Sequence, residues 1–432
     1  MKVLLLSTYD IGQGAGRAAY RLYQGLRQAG IDAQILVNKK SADDPSVLSP
    51  TTPLEMAITQ TRARIDQFPL KFYPQREETY FSPQWLPDRL AKKIRDLNPD
   101  VINVHWTQAG FMQIESLAQF HKPIVWTLHD QWALTGGCHY TNGCDRYQRG
   151  CGQCPQLGSQ TQKDLSHWIW QRKAKGWKDL DLTVVALSHW LADCVQKSPL
   201  LQNYPLKIIP NGLDPKQYHP VDQAIAKDLL GLPSDKIIIL FGAMQATSDR
   251  RKGFSLLQEA LAKLSQTEWQ DKLQILIFGA SEPENAPDFG LPTQYLGQLN
   301  DHLSLRLVYS AADVFLAPSL EDNLPNTLLE ALTCATPCVA FNIGGMPDLI
   351  QHQKNGYLAE PFKIDDFVTG ILEIVTSNKK SLLSSSIHLE LIEAFKLSKQ
   401  ADLYKCVFSD IFSQNKDYYK IKKKNSELEN FL

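Results

Sequence analysis

The sequence predicts an α/β protein of two doubly wound domains, each a parallel sheet flanked by helices. Apolar runs of strand length alternate with segments of helical spacing, and this alternation occurs twice along the chain. Between the two series lies Lys207 to Pro215, whose Pro210 and Asn211-Gly212 pair mark a domain junction. A length of 432 residues also exceeds one ordinary domain, and with 43% hydrophobic residues each half can bury its own core.

In the first series Val3 to Ser7 reads as a buried strand. Gly12, Gly14 and Gly16 then form a flexible turn before a helix from Arg17 to Ala29, which Gly30 stops. Ala33 to Val37, Val101 to Val104, Ile124 to Leu128 and Thr183 to Leu187 read as further strands, the last closing the domain. Residues 40–87, rich in Pro, Thr, Gln and Arg, read as an insertion with partial helix. The second series has strands at Lys236 to Gly242, Leu273 to Gly279, Asp313 to Ala317 and Pro337 to Phe341, with helices at Ser255 to Ser265 and Thr327 to Cys334. The expected domains are therefore 1–207, with a Cys-rich loop at 138–154, and 221–380, joined by a linker at 208–220. Helices over 381–415 are expected to pack back towards the first domain, and 416–432 to form a flexible basic tail. Sheets of this kind bind ligands beyond their carboxyl ends, so the expected site is the cleft where the two domains face each other.

A formal net charge of −1 gives no global attraction to nucleic acid or to an anionic membrane, so any basic site is local. Tyr9, Asp10 and a glycine run follow the first apolar stretch where a signal peptide would continue. No segment approaches the roughly 18 to 20 uninterrupted apolar residues that cross a bilayer. The expectation is a soluble, cytoplasmic protein.

Three loops of the second series carry chemistry. In Asp313 to Leu332 a strand ends, a polar loop with Asp322, Asn323 and Leu324 follows, and a helix opens at Pro325-Asn326. Its free N–H groups and dipole favour an anionic or polyhydroxyl ligand, and Glu330 can accept from a sugar diol. The Gly344-Gly345 turn, followed by Asn355 to Leu358, lets backbone approach phosphate. Arg250, Arg251 and Lys252 follow the first strand of this series, where a fixed cation would stabilise a departing diphosphate. In the first series His105 and His129 end successive strands. Gly12, Gly14 and Gly16 depart from the G-x-G-x-x-G spacing of dinucleotide readers, and Asn38-Lys39-Lys40 replaces their acidic residue, which disfavours an NAD enzyme.

In this order these segments resemble the family-4 retaining glycosyltransferases. Asp322 and Glu330 match a carboxylate pair spaced by seven residues, and Lys252 precedes Gly253-Phe254 as the family pattern requires. Trp126 to Trp132 is similar to the His-Asp-x-Trp stretch of a subgroup that builds exopolysaccharide and cell-surface glycans, of the colanic-acid type. The resemblance implies the GT-B fold, an acceptor-side first domain, a donor-binding second domain and retention of anomeric configuration. It implies that Glu330 holds the donor ribose, that Asp322 and His129 contact the transferred sugar, and that Lys252 and Arg251, or Arg250, hold the diphosphate. Aspartate stands where the family has glutamate, one methylene shorter, with Glu321 next door as the alternative contact. The implied partners are a nucleotide-diphosphate sugar and a glycan or lipid-linked acceptor, with no nucleic acid and no catalytic metal. Two rivals are a non-catalytic nucleotide-sugar scaffold and a nucleotide-sugar epimerase.

Cys138, Cys144, Cys151 and Cys154 crowd one short stretch. Four thiolates satisfy a tetrahedral zinc ion and the closing C-x-x-C is a common half of such a site, but the first spacing is longer than typical, and structural zinc and four free thiols weigh about equally. Cys194, Cys334, Cys338 and Cys406 read as core residues. Trp168, Trp170 and Trp177 with Arg172, Lys173 and Lys175 admit peripheral membrane association at the inner face, though a packed helix explains the tryptophans more simply.

Overall fold

The computed structural model describes residues 1–242, 249–284, 286–376 and 385–429, with the backbone alone at 385 and 414–429. The chain divides into two compact units, residues 1–210 with 400–432, and residues 211–399. Among the described residues the strands make two parallel sheets, one of seven strands and one of six.

The first sheet comprises β1 (Lys2–Tyr9), β2 (Asp32–Lys39), β3 (Val47–Leu48), β4 (Val101–Val104), β5 (Ile124–Leu128), β6 (Leu182–Ala186) and β7 (Leu206–Ile208), in the order β3-β2-β1-β4-β5-β6-β7. β1 is apolar on both faces because both are covered: Leu4 and Leu6 enter one core cluster, Val3 and Leu5 the other. Helices α1 (Gly14–Gln28), α2 (Pro53–Asp66), α3 (Leu90–Leu97), α4 (Leu165–Gly176) and α5 (His189–Gln196) accompany the sheet. Thr52 caps α2 reciprocally with Glu55, and Pro53 opens it, so the inserted stretch carries its own helix start.

The second sheet comprises β8 (Ile237–Gly242), β9 (Leu273–Phe278), β10 (Thr293–Tyr295), β11 (Val314–Ala317), β12 (Cys338–Phe341) and β13 (Gly356–Ala359), ordered β10-β9-β8-β11-β12-β13. Its helices are α6 (Gln223–Leu229), α7 (Phe254–Leu264), α8 (His302–Ala311), α9 (Asn326–Thr333), α10 (Ile364–Thr376) and α11 (Ser385–Ala394). In each sheet the strand order reverses once, at β1/β4 and at β8/β11, which opens a crevice at the carboxyl ends of those strands. The last helix, α12 (Leu397–Glu429), gives Ala401, Tyr404, Val407, Phe408 and Ile411 to the core around Val3 and Leu5.

Four expectations change. Thr183 to Leu187 is not the last strand of its sheet, because β7 pairs beyond it in the stretch read as the start of the junction. The backbone helix of α12 continues through the expected tail to Glu429; residues 430–432 lie outside the described residues. Helix α1 begins at Gly14, so Gly14 and Gly16 sit in its first turn. A Cβ on Gly16 would lie 2.6 Å from the Asp10 carbonyl oxygen, so glycine there lets the helix abut the strand end. Finally, Cys194, Cys334 and Cys338 are buried but Cys406 is exposed on α12.

Candidate active site

In the second unit three loops at the carboxyl ends of β8, β11 and β12 converge on Asp322. Its carboxylate accepts from Lys252 Nζ at 2.6 Å and from Arg251 Nη1 at 3.0 Å. Arg251 also donates to the Glu321 carbonyl at 3.0 Å and pairs with Asp249 at 3.2 Å. Its own carbonyl accepts from Leu320 N at 2.8 Å, so the basic loop is laced along the acidic one. Two glycines make this approach possible. At Gly253, φ +72°, a Cβ would lie 1.8 Å from the Pro318 carbonyl, and at Gly344, φ +53°, one would lie 2.0 Å from that of Asp322. Gly345 N–H donates to the same Asp322 carbonyl at 3.0 Å. Of the cations expected here, Arg251 and Lys252 join the cluster, while Arg250 is exposed.

Burial works to raise the Asp322 pKa, but Lys252 and Arg251 overcome it and hold the carboxyl below its usual range. Burial, then Arg251, lowers Lys252 against the opposing pull of Asp322. The cluster is two cations crowded on the shared carboxylate of Asp322, with Asp249 beside Arg251. A diphosphate, with more charge and more acceptors, would be the better partner for both.

Pro325 caps α9 in extended conformation, and Glu330 follows in the helix at 2% exposure. Glu330 Oε2 accepts from the Tyr309 hydroxyl at 3.0 Å, and Tyr309, on α8, is itself fully buried. Burial, reinforced by Glu330, raises the Tyr309 pKa well above its ordinary value, so the phenol stays a donor. Asn211 Nδ2 donates to Asn326 Oδ1 at 3.1 Å, tying the Asn-Gly segment to the mouth of α9, beside the buried Asn323 and Leu324. Nothing in the sequence singled out Tyr309 or Asp249.

In the first unit His105 Nδ1 and His129 Nε2 meet at 2.9 Å beyond β4 and β5. His105 Nε2 lies 2.9 Å from Asn103 Oδ1, and Asn103 Nδ2 donates to the Val125 carbonyl and Thr127 Oγ1, each at 3.0 Å. Thr127 Oγ1 in turn lies 2.8 Å from the Tyr404 hydroxyl. These contacts assign the protons. The Asn103 amide nitrogen is committed to two acceptors, so its oxygen faces His105 Nε2, which must carry a hydrogen. His105 Nδ1 is then a lone pair, His129 Nε2 donates to it, and His129 Nδ1 keeps a lone pair. Both imidazoles are neutral: burial lowers His105 well below its ordinary value and takes His129 to about 4.

Asp130 is spent on structure. Its oxygens accept from Trp106 Nε1 at 3.0 Å, the His139 ring at 2.6 Å and Trp132 N at 2.9 Å. Asp10, at the end of the glycine loop's strand, likewise accepts from the backbone of Ile11, Ser41 and Ala42. Gly12 and Gly14 are exposed. Lys173 and Trp177, read as one side of a basic aromatic face, are buried, so they cannot lie on a membrane. Among the described residues no helix is long and apolar enough to cross one.

Comparison with known proteins agrees along most of the chain. Residues 12–217 match the family model described as Glycosyltransferase Family 4, and residues 235–377 the one described as Glycosyl transferases group 1. WcaC of Escherichia coli K12, a glycosyl transferase whose name assigns it to colanic acid biosynthesis, is 24% identical over 71% of this chain and 74% of its own. An Escherichia coli UDP-Gal:alpha-D-GlcNAc-diphosphoundecaprenol alpha-1,3-galactosyltransferase is 25% identical over 48% of this chain and 54% of its own. Among solved structures, sucrose-phosphate synthase from Thermosynechococcus elongatus superposes with a TM-score of 0.67 at 19% identity, covering 96% of this chain and all (100%) of that one. HepE of Anabaena, solved with UDP and glucose, superposes at 0.64 with 16% identity, covering 95% and 100%. With two Rossmann-like units, the GT-B fold of these neighbours and both family models matched in order, the chain belongs to the family-4 glycosyltransferases and is a glycosyltransferase enzyme.

Proposed function

We propose that this enzyme is a retaining glycosyltransferase that takes a sugar from a nucleotide-diphosphate donor and passes it to a glycan or lipid-linked acceptor in cell-surface or exopolysaccharide biosynthesis. The observation that carries the proposal is the pairing of Lys252 and Arg251 with Asp322 where the strand order reverses. The donor diphosphate replaces Asp322 as partner of the two cations, assisted by the N–H groups at the mouth of α9 and the Gly344-Gly345 turn. Glu330, oriented by Tyr309, accepts from the donor ribose. Asp322, released from the cations, turns to the transferred sugar.

As the bond from the anomeric carbon to phosphate oxygen breaks, its electron pair goes to the diphosphate, and Lys252 and Arg251 stabilise the growing charge. The acceptor hydroxyl attacks on the same face and gives its proton to the departing phosphate oxygen, so no protein base is required. His129, which the family resemblance assigns to the transferred sugar, is neutral and brings no positive charge of its own. Among relatives, one is named for a UDP-galactose donor and HepE was solved with UDP, which makes uridine donors the first to test. The experiment is a thermal-shift screen with UDP, GDP and ADP sugars, followed by assay of nucleoside diphosphate release with lipid-linked acceptors. Binding without release under any acceptor supports the scaffold; conversion of the donor without acceptor supports the epimerase. A screen in which no nucleotide sugar shifts the melting temperature defeats the proposal.

A further inference from the structure

Between β5 and α4 the chain runs through residues 129–164 with only short 3₁₀ turns for regular structure. Cys138, Cys144, Cys151 and Cys154 from this stretch all line one cavity of about 20 Å³. That is the size for a single water or ion, since one such occupant needs roughly 10–15 Å³. The wall is sulfur-rich, which suits a soft metal better than water.

Two further features fit an ion there. The chain curls through consecutive left-handed residues at Cys151, φ 54°, Gly152, φ 116°, and Gln153, φ 47°. Such a conformation costs on the order of 1–2 kcal/mol at each non-glycine position and persists only where something over-determines it. A Cβ at Gly152 would lie 2.2 Å from the Gln162 carbonyl, so the curl admits glycine alone at its centre. Second, Gly136 N–H points at Cys151 Sγ, 3.1 Å away, a contact that strengthens when the sulfur carries charge. Arg146 lines the same cavity, and Lys173, fully buried, donates to the carbonyls of Trp132 and of the wall residue Thr135.

We infer that Cys138, Cys144, Cys151 and Cys154 hold a structural zinc ion that braces the loop between β5 and α4. Among the described residues no three metal-ligating side chains are already gathered for an ion, so the inference requires the four thiols to draw together as the ion enters. Four S–H protons leave as Zn²⁺ enters and four Zn–S bonds form, with no change of oxidation state. The ion sets the position of His139, next to Cys138, and His139 bonds Asp130, the neighbour of His129. This inference is independent of the donor and acceptor proposed above.

The test is elemental analysis of the full-length protein, purified without a polyhistidine tag or chelator. The expected result is about one zinc per chain. Cys151→Ser and Cys154→Ser should lose most of it, while Cys406→Ser, at an exposed thiol, should keep it. If the serine variants do not fold, mercurial titration of the wild-type protein should release zinc to a metallochromic dye as four thiols react. Cobalt(II) exchange should give the visible bands of a tetrahedral thiolate site. Folded wild-type protein with less than about a tenth of an equivalent of zinc overturns the inference. So does iron in its place, or a disulfide among these four cysteines in the mass spectrum.

Discussion

Lys252 and Arg251 converge on one oxygen of Asp322, at 2.6 and 3.0 Å, so the two cations assigned to the departing diphosphate are held in advance by a carboxylate they share, with Asp249 as a second partner of Arg251 alone. Removing the Asp322 carboxylate leaves the two cations crowded together with Asp249 alone to offset them. Asp322→Asn is expected to destabilise the protein by about 3 kcal/mol, the range for breaking a buried pair on one side. A nucleoside diphosphate should then raise the melting temperature more in the variant than in the parent, because its phosphates supply the missing anion. Equal ligand-induced shifts in urea or thermal unfolding would separate Asp322 from the donor site.

Lys252→Ala should act on turnover. Loss of one donor to developing charge costs about 10²–10³ in kcat, with a smaller change in KM. Glu330→Ala should instead weaken nucleotide binding, since its acceptor is needed in ground and transition states alike. Initial rates against donor concentration distinguish the two, and parent-like kinetics in both variants would remove the site.

Acid stability should follow the histidine pair. Both imidazoles are neutral when folded, His129 with a value of about 4, and both take up a proton near the ordinary 6.5 once unfolded. Below that pH the unfolded chain binds more protons, so stability falls as pH falls, by up to about 1.4 kcal/mol per unit for each group, until the folded values are reached. Above pH 6.5 this contribution is fully present. His129 is only half-buried, which trims its share. Urea titrations at pH 7.5 and 5.0 should show the loss, and His129→Gln should flatten it.

Asn103 never touches a substrate in this scheme, yet it sets the tautomer of His129 through His105. Asn103→Leu removes the acceptor that fixes the His105 proton, and turnover should fall with little change in donor affinity. Asn103→Asp keeps an acceptor while adding charge, so the acid limb of the pH–rate profile should move to higher pH. Identical pH profiles in parent and Asn103→Asp would show that the relay does not reach the chemistry.

Gly253→Ala and Gly344→Ala should each cost about 2 kcal/mol or more, because a positive φ is combined with a backbone carbonyl in the way. Thermal unfolding checks this. A cost below about 0.5 kcal/mol would mean the loops can part freely.

The sheets were legible because strands covered on both faces are near-continuous apolar runs, as Val3 to Leu6 and Ile237 to Phe241 are. β3 and β7 escaped notice, being two and three residues long, with β7 mostly exposed. The chain order placed Lys252, Asp322 and Gly344 after strand ends, but not the hydrogen bonds among them. Asn103, Asp10 and Tyr309 were invisible as functional residues because their partners, such as His105, Ser41 and Glu330, are defined by burial rather than by spacing. Cys406 misled because its helix is apolar on the face of Tyr404 and Phe408, and the thiol falls on the other.

The first unit is finished by the last part of the chain. Ala401, Tyr404 and Phe408 cover Val3, Leu5, Val125 and Val185, and the Tyr404 hydroxyl closes the hydrogen-bond series that runs through Thr127 to the histidines. During synthesis the ribosome releases residues 1–210 early, yet this apolar strip stays bare until some 190 more residues have emerged. A nascent chain stalled before Gln400 therefore carries a sticky, half-roofed sheet that chaperones would engage, and a stop codon there should give an aggregating product even with every proposed catalytic residue already translated.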